Sequence, residues 1–364
     1  MKRLKTTRRR FLLSLFMGFA LGAIPCVNPA RVEIGNLKPL SRFTFTEYHM
    51  GVDAQITVYA KDQKTAEEAC AAGFEKMASL DTIMSDYRKN SELSKLCSKS
   101  GGPAVQVSQD LFDVLVCAKQ ISSQSEGLFD VTVGPLVKLW RAARKTGVLP
   151  KQSDINAAKR LVGWRHIHLD PKTRSVRLDF PGMKLDLGAI GKGYADGEVL
   201  KVLKRYGIDR ALVQMGGDIL VTNPPPGRPG WIIEVPNSVS PKTHVLTLSK
   251  RAISTSGDTE QFVVIGGKKY SHVVNPQTGM AITQGVQATI VVPIGTESDG
   301  LSTALTLLSP RGRRRLLSHY PQAKAFVRVV PFGTGPTLRA LGASKHPPDS
   351  STISRKPGGS NSNH

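Results

Sequence analysis

An acid, three glycines and a lysine fall within eight positions of the run LDLGAIGKG: Asp186, Gly188, Gly191, Lys192 and Gly193. Tyr194 follows directly, then an amphipathic stretch to Tyr206, a short apolar strand, and the turn Gly216-Gly217-Asp218. Glycines so spaced let backbone approach phosphate oxygens at a helix N-terminus, where unpaired N–H groups and the helix dipole favour an anion. Nearby carboxylates can hold a cation, so the pattern predicts a phosphorylated ligand. The standard nucleotide motifs do not fit. Gly191-Lys192 is followed by glycine where a P-loop needs Ser or Thr, and the Rossmann glycine order is reversed. The bland alternative is a glycine-rich strand-to-helix turn with no ligand.

Two further blocks carry reactive side chains. In RAISTSGDTEQFVVIGGKKYSHVVNPQTGMA (251–281), Ser254 to Asp258 offer hydroxyls and a tight turn. His272 ends a strand there and has the chemistry of a base or a hydrogen-bond donor; a half-exposed strand histidine is the alternative. In the third block, Asp299 and Thr303 lie four apart at the start of a helix, hence on one face. Together they offer two oxygen ligands to a hard cation such as Mg2+. Taken alone, they read better as a dipole-favouring acid and a core threonine.

The elements that must position these groups are mixed. Strands are expected at 55–60, 166–169, 175–179, 231–235, 244–248, 251–254, 262–265, 269–274, 286–292 and 323–330. Helices are expected at 64–84, at a short segment bracketed by Ser91 and Ser94, at 108–125, and at 296–308 with Thr296 as a possible cap. Residues 31–49 read as a lead-in, and 127–140 as a glycine- and proline-punctuated stretch. There is no regular βαβ alternation, so the fold class is α+β: mixed sheets with packed helices.

The net charge of +22 over 364 residues invites a nucleic-acid reading, but its distribution opposes it. Residues 1–30 and 311–364 carry most of the excess, the body between is only mildly basic, and aromatics make up 6%. A single-strand surface needs basic residues clustered with stacking aromatics, so no nucleic-acid partner is expected. Arg8-Arg9-Arg10-Phe11-Leu12 before a short apolar run predicts an export signal over 1–30, of twin-arginine type, with Leu13 where lysine is frequent. The expected location is periplasmic, or membrane-tethered if the signal is uncleaved. A basic tail, 331–364, reads as disordered; membrane contact would come only through the signal or this tail. Cys26, Cys70, Cys97 and Cys117 show no C-x-x-C spacing, which excludes the usual zinc and redox motifs. Cys70 and Cys117 read as core residues, and a bridge to Cys97 is left open.

In order along the chain, MGVDAQITVYA, MSDYRKNSELSKL, GLFDVTVGPLVKLW, LDLGAIGKGYADG, VQMGGDI, STSGD, YSHVVNPQTG and SDGLSTAL resemble the ApbE-type flavin transferases, the FAD:protein FMN transferases. The resemblance runs from about Met50 to about Ser309 and implies a flavin transferase domain over 31–330, with an FAD site between sub-domains. It implies that FAD is the substrate and Mg2+ the cofactor, and that FMN passes to a Thr or Ser hydroxyl of an acceptor flavoprotein in a membrane electron-transfer chain. AMP would be released. Met50 and Gly51 match positions contacting the flavin nucleotide, Tyr87 an aromatic of the FAD site, and Leu128, Phe129 and Asp130 a contiguous FAD-binding segment. Gly188, Lys192 and Tyr194 match the motif holding the pyrophosphate. The Gly191 carbonyl with Asp299 and Thr303 matches the metal ligands, Asp218 lies in the GGD turn, and His272 matches the histidine assisting transfer. The signal is similar to that of members linked to nitrous-oxide respiration.

The chain departs from the family at Ser271, Asn275, Gln277 and Thr259, which bears on the shape of the acceptor pocket. An FAD pyrophosphatase releasing FMN and AMP, or a non-catalytic FAD-binding protein, are the alternative functions.

Overall fold

The computed structural model describes residues 39–235, 244–257, 262–329, 339–340 and 352–354. The export signal, Asp258 and Thr259 lie outside them. The described chain begins with β1 (Ser41–His49) and β2 (Val52–Ala60), then α1 (Gln63–Met84), α2 (Glu92–Ser98), β3 (Val105–Gln106) and α3 (Gln109–Gln124). Helices α4 (Gly134–Thr146) and α5 (Gln152–Lys159) precede the hairpin β4 (Ile167–Asp170) and β5 (Ser175–Leu178). The glycine-rich block forms α6 (Gly191–Arg205), β6 (Ala211–Met215) and β7 (Asp218–Val221). Strands β8 (Trp231–Val235), β9 (His244–Leu248), β10 (Arg251–Gly257), β11 (Phe262–Ile265), β12 (Lys268–Ser271) and β13 (Val286–Val292) follow. The series closes with α7 (Gly295–Leu307), α8 (Pro310–Ser318), β14 (Lys324–Val329), β15 (Arg339–Ala340) and β16 (Thr352–Ser354).

The α+β expectation is met. One eight-stranded sheet runs β14-β13-β10-β7-β6-β2-β1-β16, antiparallel throughout except where β1 meets β16. Its central strands are covered on both faces, which is why β13 (VQATIVV) is buried along its whole length rather than alternating. Side chains of successive residues point to opposite faces. Ala288, Ile290 and Val292 join the main core with α1, α6 and α7, while Val291 joins Ile219, Val221 and Ile253 under the β8–β9 sheet. By the same period Asp218 on β7 and Ser254 and Ser256 on β10 take the helix side. That alternation delivers polar groups to the sheet–helix interface, where the site lies.

Side-chain caps start four helices: Asp62 for α1, Ser91 for α2, Ser108 for α3 and Ser309 for α8. Each satisfies an N–H the first turn leaves unpaired. Helices α6 and α7 start at Ile190 and Ile294 with no side-chain cap. The expected cap at Thr296 is therefore not made; Thr296 sits inside the first turn of α7. Residues 41–49, read as a lead-in, are a full strand of the main sheet. The punctuated 127–140 stretch becomes a 3-10 turn (Val131–Val133) and α4, whose Pro135 suits a first helical turn. Helices α5 and α8 were not foreseen, and β12 stops at Ser271, short of the expected strand. Two short strands, β15 and β16, fall inside the segment read as a disordered tail, pairing with β8 and β1. Cys70, Cys97 and Cys117 are all free thiols, and burial pushes Cys70 and Cys117 up to about 12.

Candidate active site

The sharpest local feature is the contact between α6 and α7. A Cβ on Gly193 would lie 2.1 Å from the Gly295 carbonyl oxygen and 2.8 Å from Asp299 Cβ, and one on Gly295 would lie 2.3 Å from the Gly193 oxygen. Only paired glycines allow these two helix starts to touch, backbone against backbone. The touch carries Asp299, 2% exposed, to the first turn of α6, where its Oδ2 accepts the Gly193 N–H at 3.1 Å. Gly193 thus serves helix packing, where the sequence suggested close approach to a ligand.

Lys192 gathers the carboxylates. Its Nζ lies 3.2 Å from Asp218 Oδ2 and 3.5 Å from Asp299 Oδ2, and donates to the Gly188 carbonyl at 3.0 Å. Burial alone would lower the lysine's pKa, but Asp299 and Asp218 outweigh it and hold the ammonium above its ordinary value. Burial, then Asp218, push the Asp299 carboxyl up, against the pull of Lys192. Asp196, one turn after Lys192 on α6, is 1% exposed, and its Oδ1 has no hydrogen-bond partner. Burial, then Asp218 and Asp299, raise it well above the carboxylate range. Three buried acids beside one ammonium disfavour one another's ionised forms, and a cation here would favour those forms again. Sequence reasoning gave Asp196 no role; its i+4 spacing from Lys192 was the available signal.

The turn before α6 is pinned from several sides. Asp186 accepts Gly188 N–H at 2.9 Å and Arg141 Nη2 at 2.8 Å, and Leu185 N–H donates to Cys97 Sγ at 3.3 Å. Arg141 also pairs with Asp86, and its guanidinium sits 4.2 Å from the ring centre of Tyr87, a 75%-exposed residue. Arg141 was not singled out from sequence. Met50 and Gly51 form the β1–β2 turn with φ of 49° and 84°. Both being positive is the requirement of a type I′ hairpin, and Met50 accepts it without being glycine, at a cost of about 1 kcal/mol. A Cβ on Gly191 would lie 3.5 Å from Met50 Cε, so this turn borders the start of α6.

Other expected residues reach the site unevenly. Phe129 is buried against α7, since a Cβ on Gly300 would lie 3.5 Å from its Cζ. Leu128 packs beside the main core. Asp130 is spent internally, accepting from Thr132 N–H, Thr132 Oγ1 and Trp164 N–H at 2.8, 2.6 and 2.8 Å. The Tyr194 hydroxyl donates to Asp110, itself paired with Lys76, so this ring joins the α1–α3 packing rather than the carboxylate group. His272 follows β12, half-buried, at the head of a loop fixed by Trp140 Nε1 donating to the Gly279 carbonyl and by Gln277 donating to the Glu126 carbonyl. Thr303, one turn after Asp299, meets Ser256 of β10 at 2.8 Å.

Comparison with known proteins gives one consistent result. The sequence profile of the ApbE family matches residues 50–327. An FAD:protein FMN transferase of Klebsiella pneumoniae is 27% identical over 89% of this chain and 94% of its own length. One from Vibrio cholerae is 32% identical over 62% of this chain and 69% of its own. Among solved structures, the flavin transferase ApbE from Vibrio cholerae superposes with a TM-score of 0.72 at 26% identity, covering 83% of this chain and 97% of that one. The apo Pseudomonas stutzeri flavinyl transferase ApbE gives 0.71 at 25%, covering 84% and 96%. A profile spanning most of the chain and a shared fold agree: the chain belongs to the ApbE family.

Proposed function

We propose that this chain is an FAD:protein FMN transferase that moves FMN from FAD to a Thr or Ser hydroxyl of an acceptor flavoprotein. The names of its relatives support the reaction class. The observation that carries the reading here is Asp299, buried against the uncapped start of α6 beside Lys192 and Asp218. That arrangement suits a diphosphate: an ammonium at a helix start, whose dipole favours an anion, and acids to hold a counter-cation.

Among the described residues no three His, Cys, Asp or Glu side chains converge as metal ligands. A cation here therefore needs oxygen from other sources, and the buried Asp196 Oδ1, which has no hydrogen-bond partner, is an acid whose ionised form it would favour. Asp299, Thr303 and the Gly191 carbonyl would hold Mg2+, which when bound offsets phosphate charge and eases approach of the nucleophile.

The chain's own groups do the rest. The start of α6 and Lys192 orient the diphosphate, and Tyr87 offers an exposed ring to the flavin. The acceptor oxygen bonds to phosphorus on the FMN side while the bridging P–O bond breaks, and AMP leaves with the electron pair. His272 takes the hydroxyl proton. Export by the twin-arginine route, and an acceptor belonging to a membrane electron-transfer chain, complete the proposal. Mass spectrometry of an acceptor domain incubated with the protein, FAD and Mg2+ tests it. One added FMN, lost with Asp299→Ala at unchanged circular dichroism, is expected. FMN and AMP released without acceptor labelling would make it a pyrophosphatase instead.

A further inference from the structure

Thr303 is a weak cation ligand unless its hydroxyl proton is directed elsewhere, and the hydroxyls around it form a chain with a fixed end. Ser302, fully buried, donates to the Asp299 carbonyl at 2.8 Å. A carbonyl can only accept, so the single Ser302 proton is committed there. Ser256 Oγ lies 2.7 Å from Ser302 Oγ and must donate to it. With its own proton spent, Ser256 can only accept from Thr303 Oγ1, 2.8 Å away. Each direction follows from the one before. The Thr303 proton thus points at β10, and its lone pairs are turned away from Ser256. The chain runs from β10 to one turn of α7 and ends on the backbone of Asp299, so both side-chain oxygens proposed to meet the cation share one anchor.

We propose that Ser256 is a positioning residue that fixes the Thr303 hydroxyl as a lone-pair donor to the divalent cation, with Ser302 as the relay that sets its polarity. The inference rests on the metal site proposed above. Outer hydrogen bonds of this kind typically contribute 10- to 100-fold in metal affinity. Removing the Ser256 oxygen frees the Thr303 proton to rotate into the cation position.

Mn2+ titration of FAD-free full-length protein, followed by electron paramagnetic resonance, tests this without turnover. Wild type should bind Mn2+ in a manner abolished by Asp299→Ala. Ser256→Ala should weaken binding roughly 10-fold, with the thermal midpoint near wild type. In a Thr303→Val background, Ser256→Ala should add less than about 2-fold, because Ser256 acts through the lost hydroxyl. Wild-type affinity in Ser256→Ala, or an equal loss in both backgrounds, overturns the positioning role alone. No Asp299-dependent Mn2+ binding in wild type overturns the metal site and this inference with it.

Discussion

Gly193→Ala separates two readings of the same glycine. If Gly193 exists to let phosphate approach, an alanine harms substrate binding and leaves the fold alone. The structure implies the reverse order of damage. The new Cβ meets the Gly295 carbonyl oxygen at 2.1 Å and its carbon at 2.6 Å, both backbone atoms that cannot rotate aside. Restoring an ordinary contact of about 3.4 Å requires α6 and α7 to part by roughly 1.3 Å. Overpacking of this kind costs about 1–3 kcal/mol. Separation also breaks the 3.1 Å bond from Gly193 N–H to Asp299, a charged bond worth about 1.5–3 kcal/mol. Helix propensity returns about 1 kcal/mol. The net loss is ~1.5–5 kcal/mol, and at about 2–4 °C per kcal/mol the thermal midpoint should fall by roughly 3–20 °C. Scanning calorimetry with EDTA present reads this without any ligand. Flavinylation measured below the new midpoint should also fall, because Asp299 has moved. Gly295→Ala should behave alike, and the double variant should lose less than the sum, since one separation relieves both clashes. A Gly193→Ala protein melting within a degree of wild type, with only a raised KM for FAD, would refute the packing argument.

The remaining predictions are local. Arg141→Ala cuts the link between Asp86 and Asp186 and bares one face of Tyr87; the KM for FAD should rise roughly 10-fold, about 1.4 kcal/mol, with kcat nearly unchanged, and Lys should recover only part of it. Trp140→Phe keeps the buried ring but strands the Gly279 carbonyl, so stability should drop by about 1–3 kcal/mol in urea denaturation, with kcat falling more than FAD affinity because the His272 loop loosens. Asp179 is held below the usual carboxylate range by hydrogen bonds from His168 and then His166. A depressed acid stabilises the fold above its unfolded pKa and loses that contribution as pH falls through its folded value; Asp179→Asn should therefore lower the thermal midpoint more at pH 6 than at pH 3, and an equal deficit at both would rule out the charge.

The candidate residues were more legible than the packing that places them. The shared face of Asp299 and Thr303 was readable from their spacing, because a helix puts i and i+4 on one face whatever surrounds it. Asp196 obeys the same rule relative to Lys192 but sat in YADG, a string that reads as an ordinary polar helix surface; only the arrival of α7 and β7 buries it. Gly193 illustrates the deeper limit. A missing Cβ is the same letter whether the space is needed by a phosphate or by a second backbone, and the partner, Gly295, is about a hundred positions away in a segment read for its acid. Strand β1 and helix α8 were overlooked for a related reason. The first is covered only in part, so its phenylalanines look like a lead-in, and the second buries just Gly312 and Leu316 beneath its arginines. Elements that a core half-covers leave half a pattern. Tyr194 and Asp130 show the converse: the residues are where the family motif puts them, yet their polar atoms are consumed by Asp110, Thr132 and Trp164. Their polar atoms thus serve internal packing, and substituting them should cost stability before it costs ligand affinity.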